Sequence, residues 1–369
     1  MDHIAVCTAL VALAKWPAEP RRQQLAERLT HMLADAHHQG RPLIECLDAR
    51  GQASVLWAWA KMGNWPDTHF MDLLSTFTAS ARGTSGAKPQ ELSTVAWALN
   101  QAWQAWQDRP QPWHPSKQVV REYMQKLQAA CMPVLQKMNL QDVSLLLSAA
   151  QGTGVLDGAL AQGLMLHMRR LLHPTEANFK PQALSISLWS LASLGHPGCQ
   201  ELLGDAARAV VKHGCMRGDD KPQAWSNLVW AFATLGHPDS LELCRYVSGQ
   251  VVQHGCMHGA KPRAWSKLVW AFTKLRHPNS KELCRYVAGQ VVQHGCMRGA
   301  TPQTWSNLVW AFATLGHPNS QELCRYVAGQ VVQHGCMHGA TPQAWSNLMW
   351  AFATLGHPDC LELCRYVAG

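Results

Sequence analysis

The sequence predicts an all-α protein, a right-handed α-solenoid (superhelix) of about nine helix-turn-helix repeats of about 40 residues. Three observations predict it. The segment TPQTWSNLVWAFATLGHPNSQELCRYVAGQVVQHGCMHGA at residues 301–340 has near copies at 221–260 and 261–300 and begins again at Thr341. Each copy holds two stretches of helical apolar spacing parted by a His-Pro turn. Neither stretch can bury its apolar side alone, so neighbouring copies must stack to complete a core.

Within residues 221–260, Pro222 suits the first position of a helix A, where its missing N–H costs nothing. Thr301 and Thr341 precede the same Pro in later copies and can cap it. Trp225, Leu228, Val229, Phe232 and Leu235 share one side of helix A. Gly236 supplies a left-handed stop and Pro238 blocks continuation. Helix B follows at once. Asp239 with Glu242 reads as a capping box, repeated as Asn279/Glu282, Asn319/Glu322 and Asp359/Glu362. Leu243, Tyr246, Val247 and Val251 form its apolar side, and Gly255 ends it.

The same template aligns the rest of the chain. The position of Trp230 is held by Trp270, Trp310 and Trp350 downstream and by Trp189, Trp97 and Trp57 upstream, with Val11 and Ser148 in weaker copies. The intervals from Val11 onward are 46, 40, 51, 41, 41, 40, 40 and 40, which makes nine A helices. The long interval holds DRPQPWHPSK, read as a Pro-rich extended loop near 108–117. The expected organisation is a partial first repeat at 1–39, divergent repeats at 40–179 and regular repeats at 180–369. The first copy is expected to start inside a helix and the last to stop in mid-helix, as in an incomplete chain.

Composition narrows the function. The 369 residues are 47% hydrophobic, ample for a core, and the formal net charge of +8 leans toward an anionic partner. Eight Lys or Arg against one Glu give residues 261–300 a net +7, while 221–260 and 301–340 are each neutral. The thirteen Cys are an odd number without a CxxC pair. Duplication multiplied them (Cys244, Cys284, Cys324 and Cys364; Cys256, Cys296 and Cys336), so they read as reduced thiols. No run of 18 apolar residues offers a membrane span, and the start shows no secretory leader.

A helical projection places a polar stripe on helix A, opposite the core side and expected to line the concave surface. In the regular copies it comprises Gln223, Asn227, Trp230 and Thr234; Arg263, Lys267, Trp270 and Lys274; Gln303, Asn307, Trp310 and Thr314; and Gln343, Asn347 and Trp350. Upstream it comprises Arg50, Ser54, Trp57 and Lys61, then Gln90, Thr94 and Trp97. The core side hardly changes between copies, whereas the stripe exchanges donors, acceptors and cations. Small residues beside it (Ser226, Ala231, Ala233) let neighbouring A helices approach. Two readings of the Trp series stand together. The rings are platforms for stacking bases, or they wedge between A helices with only their edges showing. Likewise the stripe is a binding surface or the drifting exposed face of any helix.

Catalytic signals are missing. His254, Cys256 and His258 lie within five residues, but the spacing fits no zinc module and His258 becomes Arg298 in the next copy. His237 and its equivalents sit at a helix C-terminus, where partial positive charge is favoured. No phosphate loop, nucleophile elbow, zincin motif or recurring acidic pair is present. The chain reads as a non-enzyme without cofactor.

PQAWSNLVWAFATLGHP from Pro222, and more loosely KPQELSTVAWALNQ and KPQALSISLWSLASLGHP, resemble the octotricopeptide repeat family across about residues 40–369. HPDSLEL stands where that family has Pro-Pro-Pro-Glu-Trp at the opening of helix B. The resemblance implies an α-solenoid acting on RNA in a chloroplast or mitochondrion of green algae, in its stability, processing, splicing or translation. On this reading the stripe binds single-stranded RNA. Gln and Asn meet base edges, Arg263, Lys267 and Lys274 take phosphates, and Trp270 stacks. Lys267→Ala with Lys274→Ala is then expected to weaken RNA binding and flatten its salt dependence. The competing reading is a protein-interaction scaffold using the same groove.

Overall fold

The computed structural model describes residues 2–38, 40–63, 69–79, 84, 86–108, 114–172, 180–196, 198–217 and 220–368. The chain divides into two compact units, Met1–Leu171 and Leu172–Gly369. The first holds α1 (His3–Leu13), α2 (Pro20–Asp35), α3 (Ala49–Met62), α4 (His69–Ala79), α5 (Pro89–Asp108), α6 (Lys117–Cys131), α7 (Leu140–Thr153) and α8 (Gly158–Leu171). The second holds α9 (Pro181–Ser193), α10 (Cys199–Val211), α11 (Pro222–Leu235), α12 (Ser240–His254), α13 (Pro262–Lys274), α14 (Ser280–Val292), α15 (Pro302–Leu315), α16 (Ser320–His334), α17 (Pro342–Thr354) and α18 (Cys360–Ala368). Among the described residues the strands amount to one two-residue pairing, His37–His38 with Arg41–Pro42. No described helix is long and apolar enough to cross a membrane.

Odd-numbered helices are the A helices and even-numbered ones the B helices. In the first unit α1 packs on α3, α3 on α5 and α5 on α7, with α4, α6 and α8 in a second row. In the second unit α9, α11, α13, α15 and α17 form one row and α10, α12, α14, α16 and α18 the other. Each unit is therefore an α-solenoid of stacked helical hairpins. The nine aligned positions from Val11 to Trp350 fall on the nine successive odd helices. α1 does not start inside a helix as expected, because the Asp2 carboxylate caps it by accepting the Ala5 N–H at 2.8 Å. Residues 109–113 of the Pro-rich loop near 108–117 lie outside the described residues.

Local chemistry explains the A helices. Pro occupies the first turn of α9, α11, α13, α15 and α17. Thr301 and Thr341 cap as expected, accepting the N–H of Thr304 and Ala344. Trp225, Leu228, Val229 and Phe232 are fully buried, and Leu235 only half-buried. Ser226, Ala231 and Ala233 are sealed as well, because small side chains are what close packing of adjacent helices admits. Gly236 adopts φ 63 at the end of α11 and Gly316 φ 57 at the end of α15. The α13 copy places Arg276 at that position with φ 47, a left-handed conformation that costs a residue with a Cβ about 1–2 kcal/mol.

The start of helix B departs from expectation. Asp239, Asn279 and Asn319 make no side-chain cap bond, so the capping boxes do not form. Their ψ values of 2, 0 and 0 keep them in a tight turn, where the side chain does not reach the first-turn amides. Asn319 instead bonds Glu322 through its amide. The N–H that a box would satisfy goes to histidine: Asp239, Asn279, Asn319 and Asp359 donate to Nδ1 of His237, His277, His317 and His357 at 3.1–3.3 Å.

These histidines join the repeats. Their Nε2 atoms reach back to carbonyls of the preceding B helix: His237 to Gln200 at 2.9 Å, His277 to Leu241 at 3.0 Å, His317 to Lys281 at 2.8 Å and His357 to Gln321 at 3.0 Å. A ring that accepts at Nδ1 and donates at Nε2 is a neutral imidazole with its proton on Nε2. The expectation of helix-end positive charge is therefore corrected. The role is structural, and burial lowers the pKa of His277 and His317. Each ring also stands edge-on to a core phenylalanine, as Phe272 to His277.

Candidate functional site

In the first unit, Arg50, Lys61 and Gln90 are exposed, and Ser54, Trp57, Thr94 and Trp97 are half-buried. They make no ring pair or cation contact with one another among the described residues.

In the second unit, Gln223, Arg263, Gln303 and Gln343 are exposed, as are Lys274 and Thr314. Trp230, Trp270, Trp310, Asn307 and Asn347 are half-buried, and Trp350 is 47% exposed. Thr234 is half-buried too, with a hydroxyl oxygen that has no hydrogen-bond partner.

Asn227 overturns its expected place on an open surface, being only 1% exposed. The cause is Lys267, whose ammonium donates to Asn227 Oδ1 at 2.7 Å from the next A helix. The same ammonium lies 4.5 Å from the centre of the Trp189 ring and 5.7 Å from that of Trp230. Lys267 is therefore engaged by the protein and is not the free phosphate ligand expected of it. Burial first, and then the neighbouring Arg263, push its pKa down to about 7. Against that, two indole faces and an amide carbonyl favour the protonated form.

The tryptophans pair with one another, Trp230 stacked on Trp270 and the other pairs tilted. Ring centroids are 6.2 Å apart for Trp189 and Trp230, 6.0 Å for Trp230 and Trp270, and 6.3 Å for Trp310 and Trp350. This geometry favours the wedge over the open platform for Trp230. Among the described residues no ring pair joins Trp270 to Trp310, so the ladder is interrupted between α13 and α15. Lys274 places its ammonium 5.1 Å from the Trp270 ring centre.

A cleft of about 690 Å³ opens beside this interruption. It reaches from Trp189 of α9 and Trp230 of α11, past Lys261, Arg263, Lys267 and Trp270, to Gln303 and Asn307 of α15. Gln303 Nε2 donates to Asn307 Oδ1 at 2.8 Å, and Gln343 pairs with Asn347 in the same way. Each pair leaves a carbonyl on Gln and N–H groups on Asn for a ligand. The stripe assignment missed Lys261. Its signal was visible in the sequence, since the residue before the helix-opening Pro is Lys at 88, 180, 221 and 261 and Thr at 301 and 341.

Among the described residues, no group of three His, Cys, Asp or Glu side chains is placed to hold a metal ion. Cys256 is buried, and burial pushes its thiol up to about 12. Cys244, Cys284 and Cys324 are buried free thiols, also pushed up to about 12. Such thiols are packing groups, not nucleophiles.

No protein-family model matches the chain. No curated protein matches it either. Among solved structures the chain is similar to a "Circular tandem repeat protein with novel repeat topology and enhanced subunit contact surfaces", at 15% identity and a TM-score of 0.30, over 96% of this chain and 90% of that one.

Proposed function

We propose that the helix A stripe binds single-stranded RNA without catalysis, in a chloroplast or mitochondrion, supporting RNA stability, processing or translation. Stacked helical hairpins are scaffolds for binding extended ligands. The cleft between α13 and α15 carries the reading, because the cations Lys261 and Arg263, an indole and a paired amide set converge there. Cations hold phosphate, indole packs against a base, and amides meet base edges. The organelle rests on the resemblance to octotricopeptide repeat proteins. A protein-interaction scaffold remains the second reading, favoured by the neutral repeats at 221–260 and 301–340.

The test is filter binding of random single-stranded RNA over a salt series. Arg263→Gln with Lys274→Thr gives this copy the residues its neighbours carry at those positions. The variant should bind more weakly, with a salt slope smaller by about 0.7 for each phosphate no longer held. Unchanged affinity and slope would remove the stripe as the site. Retention of a peptide ligand with no RNA binding would select the scaffold.

A further inference from the structure

The four regular A helices of the second unit are not equivalent as ligand-facing surfaces. On α11, the Asn227 carbonyl is occupied by Lys267. On α17, the Gln343–Asn347 pair is free, but α15 before it carries Thr301 and Gln303 where α13 carries Lys261 and Arg263. Of these steps, the one from α13 to α15 combines a free amide pair with cations on the preceding helix. That step also holds the interruption of the tryptophan ladder and the cleft.

We infer that this cleft is a nucleotide subsite, packing one base against Trp270, reading its edge with Gln303 and Asn307, and holding the adjoining phosphate on Arg263 and Lys261. The inference rests on the RNA reading above and narrows it, from a stripe that reads every repeat to one anchored nucleotide. The bonded amide pair is preorganised, because the Gln303 N–H that bonds Asn307 fixes both side chains before a ligand arrives. It presents an acceptor beside donors, and the edges of nucleobases carry the complementary pattern. Lys267 takes no phosphate. Its ammonium is held by Asn227 Oδ1 and lies against the Trp189 and Trp230 rings, which with Lys267 itself form the wall of the cleft on the side away from α15. The nucleotide unit can come from a free mononucleotide or from an RNA strand, since both offer the same base and phosphate.

Equilibrium dialysis with each labelled nucleoside 5′-monophosphate, with inorganic phosphate as control, tests the free form. Ultraviolet crosslinking of single-stranded oligonucleotides carrying 4-thiouridine, followed by peptide mapping, tests the strand. The expected result is one site per chain and a crosslink within residues 261–307. Arg263→Gln and Gln303→Ala should each weaken binding by about tenfold, the loss of one hydrogen bond to a charged or base-edge group. Lys281→Gln, at an exposed cation of α14 outside the stripe, should leave it unchanged. Circular dichroism checks that the variants fold, and Arg263→Gln installs a residue that three neighbouring copies already carry at this position. Mononucleotide binding with no gain for longer strands would keep the subsite and overturn the RNA reading. Salt-dependent RNA binding with crosslinks elsewhere and no response to Arg263→Gln would overturn the subsite and keep the RNA reading. Failure of both arms would overturn both.

Discussion

Helices α11 and α15 have the same sequence except for Ala224 in one and Thr304 in the other. Their core sides are buried alike. Their stripes are not: Asn227 is sealed under Lys267, whereas Asn307 is half-buried and bonds Gln303 within its own helix. The difference lies in the next helix along. α13 follows α11 and carries Lys267, while α17 follows α15 and carries Asn347 at that position. A position in a repeat stack is thus defined by two copies at once, and near-identical copies need not offer identical surfaces.

The largest effect that could break this comparison lies in the core. Trp225→Ala and Trp305→Ala should each cost about 3–5 kcal/mol in urea unfolding, and by similar amounts. A difference between them beyond about 1 kcal/mol would mean that the two copies differ in packing and not only along the stripe. The stripe itself comes next. Asn227→Ala strands a half-buried ammonium and should cost about 1–3 kcal/mol. Asn307→Ala should cost no more than about 0.5 kcal/mol. Repeating both in a Lys267→Asn background should close the gap; a gap that survives would show that Lys267 is not its cause. The smallest effect sharpens the contrast with α13. Arg276→Gly restores the residue that ends α11 and α15, and should stabilise the chain by about 1 kcal/mol. A neutral or destabilising result would mean that the guanidinium makes a contact that offsets the strained backbone.

The fold was legible because its signals are local. Pro at the opening of helix A, Thr301 and Thr341 as caps, Gly236 as a stop and the spacing of Trp225, Leu228, Val229 and Phe232 each act within one helix. Even the weak Val11 and Ser148 positions were placed on A helices by interval alone. The capping boxes were misread because a motif names compatible side chains and not backbone angles. The turn at Asp239 and Asn279 hands the cap amide to His237 and His277. The stripe was located as a face, but its occupancy was not legible. A projection of one helix shows which side chains share a side and says nothing about what reaches them from 40 residues on.

By itself, the amino-acid sequence determined that this chain builds repeated helical hairpins, where they begin and end, and which sides they bury. Those outcomes follow from backbone conformation and periodicity, which each segment carries within itself. Only the tertiary structure decided that the histidines link one copy to the next, that Lys267 seals Asn227, and that the cleft opens beside α13 and α15. The histidine links span 36 or 37 residues and the Lys267–Asn227 bond spans 40, and stacking geometry is what brings such distant groups together.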